Sequence, residues 1–305
     1  MTLPILDLSQ AQPLTPEVQT ALRDYGSCLV LGHPLAQTLV DEVFQVTTRF
    51  FALPTAQKQP LSVLPPPHMR GWSPLPERDG DYRESFFATF GLPEQVEARP
   101  IPGQQPWPQQ MPELQQILAR LAAEIQKVAE MLLPLLANAA GGQGEVFAHM
   151  LEAPGGMGVR ALRYPPLPPG RVHGVSPHTD LPPLTLLVQN QVDGVEWQSR
   201  KGEDRAWQPV QVPPGALILQ VGDILARWTN DRLAANLHRV VNRTQQERLS
   251  VACFALPAAQ TLVHALPGTV PTGEVPRHPP ELFGETLHNW LVSLAGDRGE
   301  HVYGR

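Results

Sequence analysis

From about residue 158 the chain breaks into short extended runs punctuated by glycine, proline and asparagine, and this change of pattern limits its folds more than any other feature. The runs are "LTLLVQN", "GVEWQ", "WQPVQV", "ALILQVGDILARWT", "HRVVN" and "RLSVACFAL". They predict an antiparallel barrel or jelly roll. The chain before them is mixed. "LPILDL" and "SCLVLG" read as strands, and "PEVQTALRDYG" reads as a helix that opens on proline and closes on glycine. A second helix is predicted through "AQTLVDEVFQVTTRFFAL". Residues 111–140 carry the clearest helical period, with Leu114, Ile117, Leu118, Leu121, Ile125, Val128 and Leu132 three or four apart. Pro134 is expected to kink or end that helix. "ELFGETLHNWLVSLAG" reads as a last helix. The expected fold is α+β: a double-stranded β-helix (jelly-roll) core over 158–257, surrounded by helices. A mixed helix and strand portion at 1–157 packs on it, and 258–305 form a C-terminal loop and helix, all in one structural unit.

Composition narrows the function classes. The 305 residues carry 23 Lys plus Arg against 29 Asp plus Glu, a net charge of −6, with no basic stripe of the kind that grips phosphates. Nucleic acid is therefore not an expected partner. No apolar run reaches membrane-spanning length, and the start "MTLPILDLSQ" lacks the pattern of a signal peptide, so the expected location is cytoplasmic, away from membranes. Cys28 and Cys253 both lie in apolar, strand-like surroundings, where a thiol behaves as a small hydrophobe. The 35 prolines cluster in "LPPPH", "YPPLPPG" and "PTGEVPRHPP", which read as fixed loops between strands.

The chemistry begins in "SPHTDLPPLTLL", residues 176–187. Alternation along a strand points His178 and Asp180 the same way and Thr179 the other, so the pair can hold one ion. A jelly roll brings distant strands together at its mouth, and His238 in "WTNDRLAANLHRVVN" is the candidate third ligand. Two histidines and one carboxylate make the facial set of non-haem Fe(II) oxygenases, which leaves three positions open; zinc would favour a tetrahedral site. One strand further on, Arg248 and Ser250 in "RLS" share a face, where guanidinium and hydroxyl can grip a carboxylate.

With these residues in place, the stretch 158–257 resembles the isopenicillin N synthase-like family of Fe(II)/2-oxoglutarate dioxygenases, which includes plant flavonoid, gibberellin and ethylene-forming enzymes. The blocks "HTDLPPLTLLVQ", "VPPGALILQVGDILARWTN", "LHRVVN" and "RLSVACFALP" carry the resemblance; "LPILDLS", "YGSCLVLGHPL", "FFALP" and "RGWSPLPERDGDYRESF" extend it more loosely. It implies that His178, Asp180 and His238 bind Fe(II), that Arg248 and Ser250 hold the distal carboxylate of 2-oxoglutarate, and that Tyr164 contacts the same cosubstrate. It also implies oxidation of a small molecule by O2, as hydroxylation or desaturation, with release of succinate and CO2; ascorbate would support the reaction in vitro. Pro182, Leu162 and "NDRLAAN" depart from common family residues beside the substrate region. Two other readings stay open: an Fe(II)/O2 oxidase of the same family that uses no 2-oxoglutarate, and a noncatalytic small-molecule sensor.

The substrate-side stretch "GWSPLPERDGDYRESFF" mixes aromatic residues with a few charges, which suggests a small, apolar or aromatic substrate. Trp72 and Phe86 are its candidate lining residues, with Arg70 for an anionic group. Among the remaining histidines, His173 reads as a loop residue, His33 as part of a turn before proline, and His278 and His288 as structural or surface residues.

Overall fold

Two β-sheets facing each other account for the interrupted strand pattern. The computed structural model describes residues 2–63, 69–76, 81–91, 105–142, 155–199 and 206–296; the proline run at 64–68 lies outside the described residues. The strands are β1 (Ile5–Asp7), β2 (Ser27–Leu31), β3 (Gly71–Ser73), β4 (Glu84–Phe90), β5 (Gly156–Tyr164), β6 (Val175–His178) and β7 (Leu184–Gln189). They continue with β8 (Val195–Gln198), β9 (Gln208–Pro209), β10 (Leu217–Val221), β11 (Leu237–Val240), β12 (Arg248–Leu256), β13 (Leu262–Val263) and β14 (Glu281–Leu282). The major sheet has the order β1-β2-β10-β7-β12-β5-β4-β3, the minor sheet β6-β11-β8-β9, and β13 pairs with β14. Apart from the parallel β1–β2 pair, the pairings between described strands are antiparallel, and one isolated parallel bridge joins Ser62 to Trp72.

The helices are α1 (Pro16–Asp24), α2 (Gln37–Ala52), α3 (Thr55–Lys58), α4 (Pro112–Ala139), α5 (Asp223–Trp228) and α6 (Phe283–Gly296). None of them is long and apolar enough to cross a membrane. Helix α1 starts as its sequence predicts: the Thr15 hydroxyl accepts from the Val18 N–H and Pro16 takes the first turn. Helix α4 buries the apolar period read from sequence, with Leu114, Leu118, Leu121, Ile125, Val128 and Leu132 all withdrawn from water. Each such burial is worth about 1.5–3 kcal/mol.

The major sheet separates two cores. Its outer face meets α2 and α4 through Phe86, Ala161, Val251 and Val188, which share one large apolar cluster with the helices. Its inner face contributes Leu162, Tyr164, Leu187, Ile218 and Ala252 to a second cluster, completed by Val175, Val195, Trp197 and Val240 of the minor sheet. Because side chains alternate along a strand, the register assigns each residue to one face or the other.

Three expectations are corrected. Helix α4 continues through Pro134 to Ala139, because Leu133, Leu136, Ala137 and Ala139 still bury apolar surface beyond the proline. The run "ALILQVGDILARWT" is extended only as far as Val221 and then turns into α5. At the turn a Cβ on Gly222 would lie 1.8 Å from the Pro182 carbonyl oxygen, so only glycine lets the chain pass. The boundary drawn at 157/158 falls inside β5, and β1 to β4 are hydrogen-bonded into the major sheet.

Candidate metal centre

Strands β6 and β11 pair so that His178 stands directly opposite His238. The two imidazole rings lie 4.2 Å apart, and His178 Nε2 is 3.7 Å from Asp180 Oδ1. One donor atom from each of His178, Asp180 and His238 falls within 4.8 Å of the other two. These residues, separate in sequence, therefore meet at one end of the space between the sheets.

The surroundings aim the donors inward. His178 Nδ1 lies 2.9 Å from the Ser176 carbonyl oxygen, and His238 Nδ1 lies 3.1 Å from that of Asn236. A carbonyl oxygen can only accept, so each Nδ1 carries the proton and each Nε2 keeps its lone pair for an ion. Both supporting carbonyls are pinned in turn. Asp81 Oδ1 accepts from the Ser176 N–H and hydroxyl, each at 2.9 Å, while its Oδ2 lies 3.2 Å from Arg83. Asn236 donates to the Tyr25 carbonyl at 2.7 Å and accepts from Gln220 at 3.1 Å. Thr185 donates to Asp180 Oδ2 at 2.6 Å, which leaves Oδ1 facing the histidines. The main chain after Asp180 is fastened by α5: the Asp223 and Ile224 N–H groups donate to the carbonyls of Asp180 and Leu181. Burial, with His238 alongside, drives the His178 imidazole far below its ordinary range and keeps it neutral near pH 7, the form that binds a metal.

Further along the inner face, Arg248 and Tyr164 are register partners on β12 and β5. The Arg248 guanidinium is fully buried and lies 4.9 Å from the Tyr164 ring centroid. It donates to Ser250 Oγ at 3.2 Å and to Gln189 Oε1 at 2.9 Å. No described carboxylate pairs with it directly; Gln189 relays it to Asp193, and Arg248 Nε has no hydrogen-bond partner among the described residues. A buried guanidinium with donor capacity left over, set beside a hydroxyl, fits a carboxylate ligand. Two imidazole nitrogens and one carboxylate oxygen, held as a set by other groups, fit a divalent transition metal.

The candidate residues therefore divide. His178, Asp180 and His238 are brought together, as are Arg248, Ser250 and Tyr164. Trp72 and Phe86 are not in the inner space: they pair in register across β3 and β4, and Phe86 pairs onward with Ala161 of the outer face. Phe86 packs on Phe50 with ring centroids 4.9 Å apart, and Trp72 Nε1 donates to Glu84 at 2.7 Å beneath the helices. Both belong to the outer core, on the far side of the sheet from Ser250. Arg70 stands just before β3, the end strand of the major sheet, four strands along from β7. The inner face instead receives Ser85, Phe87, Arg160 and Phe254, whose neighbours in register alternate with Trp72 and Phe86. Gln189, Asp81, Asn236 and Thr185 also went unread in the sequence. Of these, Thr185 lies close in sequence to the candidate ligand its side chain bonds, five residues after Asp180 and on β7. Both thiols are buried, which pushes Cys28 up to about 12 and Cys253 higher still, so both are inert.

Residues 156–257 match the family model described as the 2OG-Fe(II) oxygenase superfamily, and residues 3–110 match that described as non-haem dioxygenase in morphine synthesis N-terminal. The 2-oxoglutarate-Fe(II) type oxidoreductase hxnY of Emericella nidulans is 29% identical over 305 residues, covering 91% of this chain and 86% of the relative. A flavonol synthase/flavanone 3-hydroxylase of Arabidopsis thaliana is 27% identical over 308 residues, covering 97% of this chain and 88% of its own. Among solved structures, a 2OG-Fe(II) oxygenase family protein from Caulobacter crescentus superposes with a TM-score of 0.82 at 25% identity, covering 96% of this chain and 99% of the other. Sequence and fold agree along nearly the whole length, and the chain belongs to the 2OG-Fe(II) oxygenase superfamily, the non-haem oxygenases that use Fe(II) and 2-oxoglutarate.

Proposed function

We propose that this chain oxidises a small organic molecule, by hydroxylation or desaturation, with release of succinate and CO2. In this reading His178, Asp180 and His238 hold the Fe(II), and Arg248, Ser250 and Tyr164 receive the distal carboxylate of 2-oxoglutarate. The observation that carries it is the pair of backbone carbonyls that fix both histidines as Nδ1–H tautomers, with His178 Nε2 3.7 Å from Asp180 Oδ1 and one donor atom of each of the three residues within 4.8 Å of the others. When bound, iron and 2-oxoglutarate supply the oxidising chemistry with O2. The chain's own part is positional. Asp81 and Asn236 hold the carbonyls that orient the histidines, Thr185 selects the carboxylate oxygen that faces the ion, and the apolar inner core keeps water from the reacting groups. The Arabidopsis relative is, by its name, an enzyme of flavanones, which supports a small-molecule substrate here.

Two measurements test this. Anaerobic reconstitution should give one Fe(II) per chain in the wild type and none retained in folded His178→Ala, Asp180→Ala or His238→Ala. Full iron occupancy in all three variants would contradict the assignment. Oxygen uptake should require 2-oxoglutarate and release succinate in a screen of small molecules; uptake without it would favour the oxidase reading, and none under any condition would favour the sensor.

A further inference from the structure

We infer that Gln189 decides which charge the cosubstrate must bring: it holds Arg248 with a neutral oxygen and keeps the Asp193 carboxylate at its own far end, so that the site prefers a 2-oxo acid carrying a second carboxylate over one without it. This rests on the function proposed above and adds to it a positioning residue, Gln189, and the acidic residue behind it.

The register places Gln189 beside the arginine. Gln189, the last residue of β7, pairs with Ser250 on β12, so its side chain shares the inner face with Ser250 and with Arg248 two residues before it. Arg248 donates to Gln189 Oε1 at 2.9 Å, and Gln189 Nε2 donates to Asp193 Oδ1 at 3.0 Å. Asp193 lies in the short turn from β7 to β8, where the Asn190 N–H donates to the Leu249 carbonyl and the Val192 N–H to Asn190 Oδ1. That turn folds Asp193 back over Gln189.

The two ends of the relay fix the amide. A guanidinium only donates and a carboxylate only accepts, so Gln189 has one orientation that serves both, with oxygen toward Arg248 and nitrogen toward Asp193. Arg248 is thereby held in place without being neutralised. A glutamate reaching the same point would complete a buried ion pair within the protein and leave a ligand carboxylate facing a charge already answered. Asp193, by contrast, is exposed and keeps its charge in water at little cost.

The chain had a carboxylate within easy reach. Gly194, the next residue after Asp193, packs against the stem of Arg248: a Cβ there would lie 2.9 Å from Arg248 Cδ and 3.2 Å from its Nε. The backbone carrying Asp193 thus passes the arginine closely, and its carboxylate nevertheless bonds the amide of Gln189.

The test compares 2-oxoglutarate with 2-oxopentanoate, the same five-carbon 2-oxo acid with a methyl group in place of the distal carboxylate. Both are titrated into the anaerobic Fe(II) protein and followed by charge-transfer absorbance. The wild type should bind 2-oxoglutarate roughly tenfold to a hundredfold more tightly, the range for a hydrogen bond to a charged group. Gln189→Glu combined with Asp193→Asn moves one carboxylate from the far end of the relay to the near end at constant net charge. It should shrink the preference to within about threefold while 2-oxopentanoate affinity stays within about threefold of the wild type's, because the buried pair is then complete. Asp193→Asn alone leaves Gln189 neutral and should keep the preference or widen it. A preference retained in the double variant would overturn the inference. So would a parallel loss of both oxo acids, which would give Gln189 a purely structural role. Should the double variant not fold, Asp193→Asn decides: a preference reduced by more than about threefold contradicts the inference, since an exposed charge held away from the site is expected to contribute little. Wild-type protein that binds both oxo acids equally would overturn this inference with the place given to Arg248 and leave the metal centre as proposed, whereas failure to bind 2-oxoglutarate at all would remove the proposed function as well.

Discussion

Two buried cations sit on opposite faces of the major sheet and are treated in opposite ways. Lys58, under the helices, has its Nζ 2.6 Å from Glu84 and 2.7 Å from the Phe51 carbonyl; Glu84 also accepts from Trp72 and Arg163. Its charge is answered by the chain itself. Arg248, on the inner face, has a hydroxyl, an amide oxygen and an aromatic ring around it, and an acidic group only through Gln189. A buried pair made complete by the protein stabilises or specifies a fold, whereas a buried charge left short of a counter-ion destabilises the empty protein and suits a ligand that supplies one. The difference separates structure from function on one sheet.

The comparison breaks most easily on the structural side. Glu84→Gln leaves Lys58 buried without a carboxylate and should cost about 3–5 kcal/mol of stability in chemical denaturation, with turnover per folded molecule retained. Stability within error of the wild type would show that the network contributes little.

The two faces were unequally legible in the sequence. The Arg-x-Ser pair could be read because both residues lie within β12, where alternation alone gives a shared face; the His-x-Asp pair was legible as a close pair of ligand types, although β6 ends at His178 and Asp180 stands just beyond it, held by Thr185 rather than by strand alternation. His238 could be placed from the jelly-roll pattern, since only the pairing of β11 with β6 was needed to bring it over. Trp72 and Phe86 could not be assigned a face, because β3 and β4 take theirs from the register with β5, a strand far along the chain. Asp81 was invisible for the same reason: its partner Ser176 is 95 residues away, and nothing local marks a carboxylate that holds another strand's backbone. Helix α5 was read as strand because its apolar residues follow directly from β10, while the close approach of Pro182 to Gly222 that forces the turn is a tertiary contact.

The division between faces sharpens with a pair of adjacent phenylalanines. Phe86→Ala should lose about 3–5 kcal/mol of stability as a core residue and leave substrate-coupled turnover intact. Phe87→Ala should instead uncouple 2-oxoglutarate consumption from substrate oxidation. Equal effects of the two on coupling would mean that the register does not separate pocket from core.

A smaller effect is expected at Asp81. Asp81→Ala frees Ser176 and so loosens the carbonyl that orients His178, which should weaken Fe(II) binding about 10- to 100-fold, as loss of a supporting group around a metal ligand does. Competition with a chelator measures this, and altered ligand-field absorbance in the folded, iron-loaded variant separates reorientation of His178 from a general loss of stability. Unchanged affinity and an unchanged spectrum would show that the Asp81–Ser176 contact does not set the orientation of His178.

The central claim is that Arg248 keeps its charge for a ligand, and Arg248→Met tests it most directly because methionine retains much of the volume and none of the charge. Titration of 2-oxoglutarate into the anaerobic Fe(II) protein should show affinity reduced by about 1.5–3 kcal/mol, while the unfolding free energy of the ligand-free variant stays equal to the wild type's or rises. An unchanged dissociation constant together with a destabilised ligand-free protein would contradict the account, since Arg248 would then be a structural cation like Lys58.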